Sequence, residues 1–161
     1  EVKSKLKALF ENPNKEELIE LNKTIHLFSG QQINSCNGKE EIRELINRPF
    51  RICGMVHNEG KSGGGPFFVN DGKGSVTKQI IEAIQVSKDD SQQEKLSNST
   101  HFNPVMMVLD TYDFSGNQYD LRKYRNDENY FVVNKQHNGQ DISFIELPGL
   151  WNGAMYNWNT L

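Results

Sequence analysis

Four glycines stand within six residues at Gly60, Gly63, Gly64 and Gly65, beside Lys61, in the stretch RICGMVHNEGKSGGGPFFV from Arg51 to Val69. Without a Cβ, a glycine peptide takes positive φ without strain and lets another backbone or a ligand approach closely. Successive main-chain amides next to a lysine make a concavity suited to an anion, and ordering so many glycines costs conformational entropy. A long β-hairpin loop is the equally good alternative, since glycine clusters mark turns. Gly60-Lys61-Ser62 is not the end of a P-loop: that motif has four residues between its glycines, whereas five separate Gly54 from Gly60, and Gly63-Gly64-Gly65-Pro66 cannot open the helix the motif requires.

The other reactive side chains are more scattered. His57, His101 and His137 are 44 and 36 residues apart, with no HExxH or CxxC spacing, so they outline no compact metal site. Cys36 lies in a polar loop and Cys53 in an apolar run; neither points to a bridge, and a thiol inside an apolar strand is a poor nucleophile. Gly149 to Leu161, GLWNGAMYNWNTL, sets Trp151 and Trp158 among Asn152, Asn157 and Asn159. Flat apolar faces beside amide groups suit a sugar ring or a base; the same composition also suits a structural loop closing over a core.

The elements that must position these groups follow from period and punctuation. Over 1–48 the apolar residues fall at helical spacing: Val2, Leu6, Leu9 and Phe10 before Pro13, Leu18, Ile19, Leu21 and Ile25 after a cap at Asn14, and Ile42, Leu45 and Ile46 in a third, short helix. Pro49 switches the period. Arg51 to His57 and Pro66 to Val69 read as buried strands around the glycine loop, and Asn70 to Gly74 as a tight turn. Val76 to about Ile81 reads as a strand, preferred over a helix for its β-branched residues and the turn before it. Ser87 to Ser99 is a polar connection with a helical turn at Gln92 to Leu96. Phe102 to Leu109 is a strand with Pro104 at its start or on an edge, Ser115-Gly116-Asn117 a turn, and Tyr130 to Asn134 with Ile142 to Leu147 a hairpin closed at His137-Asn138-Gly139. The sum is an α/β fold, a mixed, largely antiparallel sheet over 49–161 with N-terminal helices packed on it.

A chain of 161 residues suffices for one domain with a core. With 18 basic and 21 acidic residues and a net charge of −3, it carries no electrostatic footprint for nucleic acid or an anionic membrane. No apolar run reaches the roughly 18 residues of a membrane span, and no signal-peptide pattern opens the chain, so the cytoplasm is the expected location. The chain opens at Glu1 and closes straight after an aromatic-rich segment, which fits a fragment of a longer protein.

Three strings, NRPFRICGMVHNEGKSGGGPFFV, STHFNPV and ELPGLWNGAMYNWNT, occurring in this order over 47–161, resemble the bacterial family catalogued as domain of unknown function 4301. That family is in turn similar to the uridylyltransferases that make nucleotide sugars on a glycosyltransferase-A-like α/β sheet. The resemblance implies the acceptor-sugar portion of a nucleotidyltransferase, which joins a nucleoside triphosphate to a sugar 1-phosphate and releases pyrophosphate. In that scheme Glu82 and Glu146 accept hydrogen bonds from sugar hydroxyls, Asn103 orients the sugar with Asn152 beside it, and Lys61 with the amides of Gly63, Gly64 and Gly65 holds the phosphate. Mg2+ is implied too, with its ligands, the nucleotide-binding turn and a further lysine all in stretches outside this one, so this stretch alone would not transfer a nucleotide. Ala83-Ile84-Gln85 also departs from the Tyr-Ser-Glu context usual around the glutamate. The alternative is a non-catalytic carbohydrate- or nucleotide-binding module of the same fold.

Overall fold

The computed structural model describes residues 47–61, 63–70, 72, 76–147 and 159–160, with single positions at 7, 11, 19, 20, 23, 26, 43 and 44. The helices expected over 1–48 and the Trp151 to Trp158 stretch, Asn152 included, lie outside the described residues. Within them run seven strands: β1 (Phe50–His57), β2 (Gly65–Asn70), β3 (Val76–Ile81), β4 (His101–Asp110), β5 (Phe131–His137), β6 (Gln140–Glu146) and β7 (Asn159–Thr160). One α-helix, α1 (Asp90–Ser97), lies between β3 and β4, and short 3-10 turns occur at Ala83–Gln85, Leu121–Tyr124 and Asp127–Asn129.

β1 organises the rest because its residues alternate between two environments. Arg51, Cys53 and Met55 point to one side and Ile52, Gly54 and Val56 to the other, as the two-residue period of a strand dictates. β4 pairs with it antiparallel, and β7 adds two parallel rungs at its other edge, giving the order β4-β1-β7. The hairpin of β2 and β3 covers the Arg51 side, where Ile80 is buried together with Arg51, Gln79 and Thr160. On the opposite face Ile52, Val56, Met106 and Val108 remain 39% to 63% exposed.

Tight turns set these pairings. Asn70 Oδ1 accepts the Gly72 N–H at 2.8 Å, and Gly72 takes φ +75° at the turn between β2 and β3. Asn138 (φ +51°) and Gly139 (φ +77°) both occupy the left-handed region, the requirement of a two-residue hairpin turn that follows the twist of β5 and β6. Asp113 Oδ1 gathers the Ser115 and Asn117 N–H groups, both at 2.8 Å, around Gly116.

This architecture corrects the expected α/β fold. A glycosyltransferase-A-like sheet needs successive parallel strands joined by helical crossovers. Here β2 with β3 and β5 with β6 close as hairpins, β1 pairs antiparallel with the distant β4, the parallel pairing among the described strands is confined to the two rungs of β1 with β7, and the single described helix spans eight residues and buries none of them. The result is a set of small, mainly antiparallel sheets. Among the described residues no helix is long and apolar enough to cross a membrane.

Two irregularities in the central pair decide where the site lies. Gly54 pairs with Met106, but the next residue, Met55, pairs with Pro104, and His57 then pairs with His101. β4 therefore carries two residues more than β1 over the same span, the first of them Val105. Such bulges bend a strand and re-aim the side chains beside them.

Candidate functional site

The glycine loop is tied at its entrance by Asn58. Its Oδ1 accepts the N–H groups of Gly60 (3.0 Å) and Lys61 (3.1 Å), while its own N–H donates to the Thr100 carbonyl at 3.0 Å. This Asx turn requires the left-handed conformation at Gly60, φ +84°. Further along, the loop lies against β3 and the bulged part of β4. A Cβ on Gly63 would fall 2.7 Å from the tip of the Phe102 ring. On Gly64 it would fall 2.9 Å from both Asn103 Oδ1 and Glu82 Cα, with the Ile81 carbonyl closer still, and on Gly65 it would fall 2.7 Å from the His101 carbonyl oxygen. Close backbone approach is therefore the physical reason for glycine at these three positions.

That packing redistributes the donors expected for a phosphate. Gly64 and Gly65 are buried, Gly63 is half-buried and Lys61 is exposed. The Gly60 and Lys61 amides are already engaged by Asn58, which leaves the Lys61 ammonium as the cation on the loop.

The carboxylates reach the loop by a different route. Glu82 follows β3 directly, and its N–H donates to Gln85 Oε1 at 2.9 Å. Gln85 Nε2 in turn donates to the Asn129 carbonyl at 3.0 Å, which fixes the start of the β5–β6 hairpin beside Glu82. Because Phe131 pairs with Glu146, that tether carries Glu146 into the neighbourhood. Burial first, and the Glu146 carboxylate second, hold the Glu82 carboxyl above the usual carboxylate range. Asn103 completes the group. Its Oδ1 is buried beside Gly64 and has no hydrogen-bond partner among the described residues.

A cavity of about 380 Å3 opens between this loop and α1, lined by Asn58, Gly60, Lys61, Gly63 and Gly64 on one side and by Ala83, Gln93, Leu96, Ser97 and Ser99 on the other. Part of that lining serves to build the wall. Gln93 Nε2 donates to the Ser87 carbonyl at 2.7 Å, and Ser99 Oγ donates to the His101 carbonyl at 2.8 Å. Next to the cleft the His57 and His101 rings stack at 4.8 Å between centroids, and Thr100 Oγ1 lies 2.9 Å from His101 Nδ1. The structure thus brings Glu82, Asn103, Glu146 and the glycine loop together.

Residues 6–161 match the family described as Domain of unknown function (DUF4301). The chain belongs to the DUF4301 family. No curated protein and no solved structure matches it, so neither comparison ties the DUF4301 domain to the uridylyltransferases. Among the described residues of the DUF4301 domain no three His, Cys, Asp or Glu side chains converge, so the implied Mg2+ finds no fitting ligand set among them. Cys53 is a free thiol that burial pushes above its ordinary value, with Arg51 opposing, which leaves it unreactive at neutral pH.

Sequence reasoning passes over Asn58 and Gln85. Asn58 carries a readable signal, since asparagine two residues before glycine is the pattern of an Asx turn. Gln85 carries none, because its acceptor is a main-chain carbonyl on a distant turn. Arg51 reads as an ordinary strand residue, and its burial comes from a hairpin the local sequence does not reveal.

Proposed function

We propose that the region of the glycine loop binds a phosphorylated sugar, with Glu82, Glu146 and Asn103, which stand beside Gly64 and outside the lining of the cleft, toward the sugar, and with Lys61, which lines the cleft, toward the phosphate. The observation that carries this reading is the Asn103 oxygen, buried and without a donor among the described residues, beside two coupled carboxylates. A buried acceptor left unsatisfied costs about 1–3 kcal/mol. Three acceptors in one place ask for a ligand rich in donors, and vicinal hydroxyls meet that demand. The exposed Lys61 on the cleft supplies a cation for the phosphate. On this reading the described stretch is a binding module; nucleotidyl transfer would require a nucleotide site and metal ligands that the described residues do not gather.

Thermal melting of the full chain with glucose 1-phosphate, glucose and inorganic phosphate as probes tests the proposal. A ligand at a hundred times its dissociation constant adds about 2.7 kcal/mol to apparent stability. At roughly 2–4 °C per kcal/mol for a chain of this size, the midpoint rises by about 5–11 °C. Asn103→Ala should abolish most of that rise without lowering the midpoint of the free protein, since it removes an acceptor that has no partner among the described residues. An undiminished rise in Asn103→Ala, or no rise with any of the three probes, would reject the proposal.

A further inference from the structure

His57 and His101 lie 44 residues apart in the chain, yet the fold stacks their rings. Continued evenly from the Gly54–Met106 rung, the β1–β4 ladder would set Asn103 opposite His57; the two surplus residues of β4 set His101 there instead. The bulged end of β4 thus makes a cross-strand pair of imidazoles, with ring centres 4.8 Å apart and planes inclined at 27°. Bulges re-aim side chains in this way beside functional sites.

Each ring has a nitrogen to offer. Thr100 Oγ1 lies 2.9 Å from His101 Nδ1, and when that nitrogen carries the proton and donates it to the hydroxyl oxygen, Nε2 holds the lone pair. A metal-bound histidine is nearly always held in this manner, its second N–H donated to an oxygen. The His57 nitrogens have no hydrogen-bond partner among the described residues, and the ring is exposed. Two nitrogens on one tetrahedral ion, each about 2.0–2.1 Å from it, stand roughly 3.4 Å apart. Rings with centres 4.8 Å apart reach that spacing by tipping their edges together, a motion the exposed His57 has room to make.

We propose that His57 and His101 together bind one divalent transition-metal ion of the class that prefers imidazole, such as Zn2+, through Nε2 of His101 and one ring nitrogen of His57. Imidazole suits zinc, nickel and copper, whereas Mg2+ takes oxygens, so this ion is not the one implied for nucleotidyl transfer. No third His, Cys, Asp or Glu joins the pair among the described residues, so water or a ligand atom fills the remaining positions. Asn58 follows His57, donates its N–H to the Thr100 carbonyl at 3.0 Å and holds the Gly60 and Lys61 amides through Oδ1. An ion bridging His57 to His101 therefore staples the strand ends from which the glycine loop departs. The site rests on these two side chains and does not depend on the sugar-phosphate reading.

The test is NMR of the histidine ring nitrogens in the full chain, titrated with Zn2+ and separately with Mg2+. One equivalent of Zn2+ should move the His57 and His101 signals together, leave those of His26 and His137 in place, and slow amide exchange at Asn58, Gly60 and Lys61; Mg2+ should do none of this. His57→Ala, a change at an exposed position, should lose the His101 response to one equivalent of Zn2+. A response of His101 that persists in this variant overturns the shared site, and the readings on the natural protein stand whether or not the variant folds. Equal movement of all four histidines would leave an adventitious ion only, and no movement with Zn2+ overturns the site outright. Movement of the pair with unchanged amide exchange overturns the staple.

Discussion

Adding one methyl group at Gly64 probes the contact on which the loop site rests. The new Cβ would lie 2.9 Å from Glu82 Cα and from Asn103 Oδ1, and nearer still to the Ile81 carbonyl. Two of these three obstacles are main chain in or beside β3, so they cannot swing aside as the tip of a long side chain would. Overpacking of this kind costs about 1–3 kcal/mol, and the rigid neighbours put Gly64→Ala near the upper end. In a chain of 161 residues that corresponds to a fall of about 6–12 °C in Tm at roughly 2–4 °C per kcal/mol. Two further glycines calibrate the result. Gly54→Ala meets Met106 atoms at 3.7 Å, an ordinary contact, and restricting the unfolded chain should leave it as stable as the natural protein or about 0.4–1 kcal/mol more so. Gly60→Ala meets nothing within 4 Å but must hold φ +84°, which costs about 1–2 kcal/mol. Thermal melts should therefore rank Gly54→Ala above Gly60→Ala and Gly64→Ala lowest. If Gly64→Ala melts together with Gly54→Ala, the loop does not lie against β3 and β4 as described.

Two further outcomes follow from the same region. Glu82 holds its proton to higher pH folded than unfolded, so its contribution to stability is fully present below the unfolded carboxyl range and is lost as pH rises through the folded value; urea titrations from about pH 4 upward should show a shallower decline in Glu82→Gln, and equal slopes would show that neither burial nor Glu146 raises the Glu82 carboxyl. Asn58→Ala strips two N–H groups of their acceptor at a cost of about 1 kcal/mol, and amide exchange at Gly60 and Lys61 should accelerate relative to β1; unchanged exchange there would show that something else holds the turn.

Local signals in the sequence survive well in the structure because local forces produce them. The strand expected from Arg51 to His57 begins one residue earlier, at Phe50, and the strand over Val76 to Ile81 has the expected bounds. The turn at Asn138-Gly139 takes the two positive φ values that its residues favour. The helical turn expected at Gln92 to Leu96 extends into α1, where Asp90 in the first turn and Lys95 in the last complement the helix dipole. The larger architecture was misread because period and turn chemistry do not specify which strand meets which. β1 could not be seen to pair with both β4 and β7, and nothing in the residues around Arg51 announces Gln79 and Thr160 as its partners. At the site, the convergence of Glu82 with Glu146 depends on Gln85 reaching Asn129, a contact between a side chain and a distant carbonyl with no sequence signature.

The two surplus residues of β4 impose a rule of evenness on the chain. Side chains in a strand swap sides with every residue, so a single insertion turns the following segment over and a second turns it back. Between the two irregularities Pro104 thus shares the side of Met55, although an uninterrupted ladder would have put Val105 there, and by His101 the original phase has returned. Removing one residue from this stretch would leave Phe102 and Asn103 facing away from the glycines they now touch, whereas removing two could preserve the phase of the strand while shortening it.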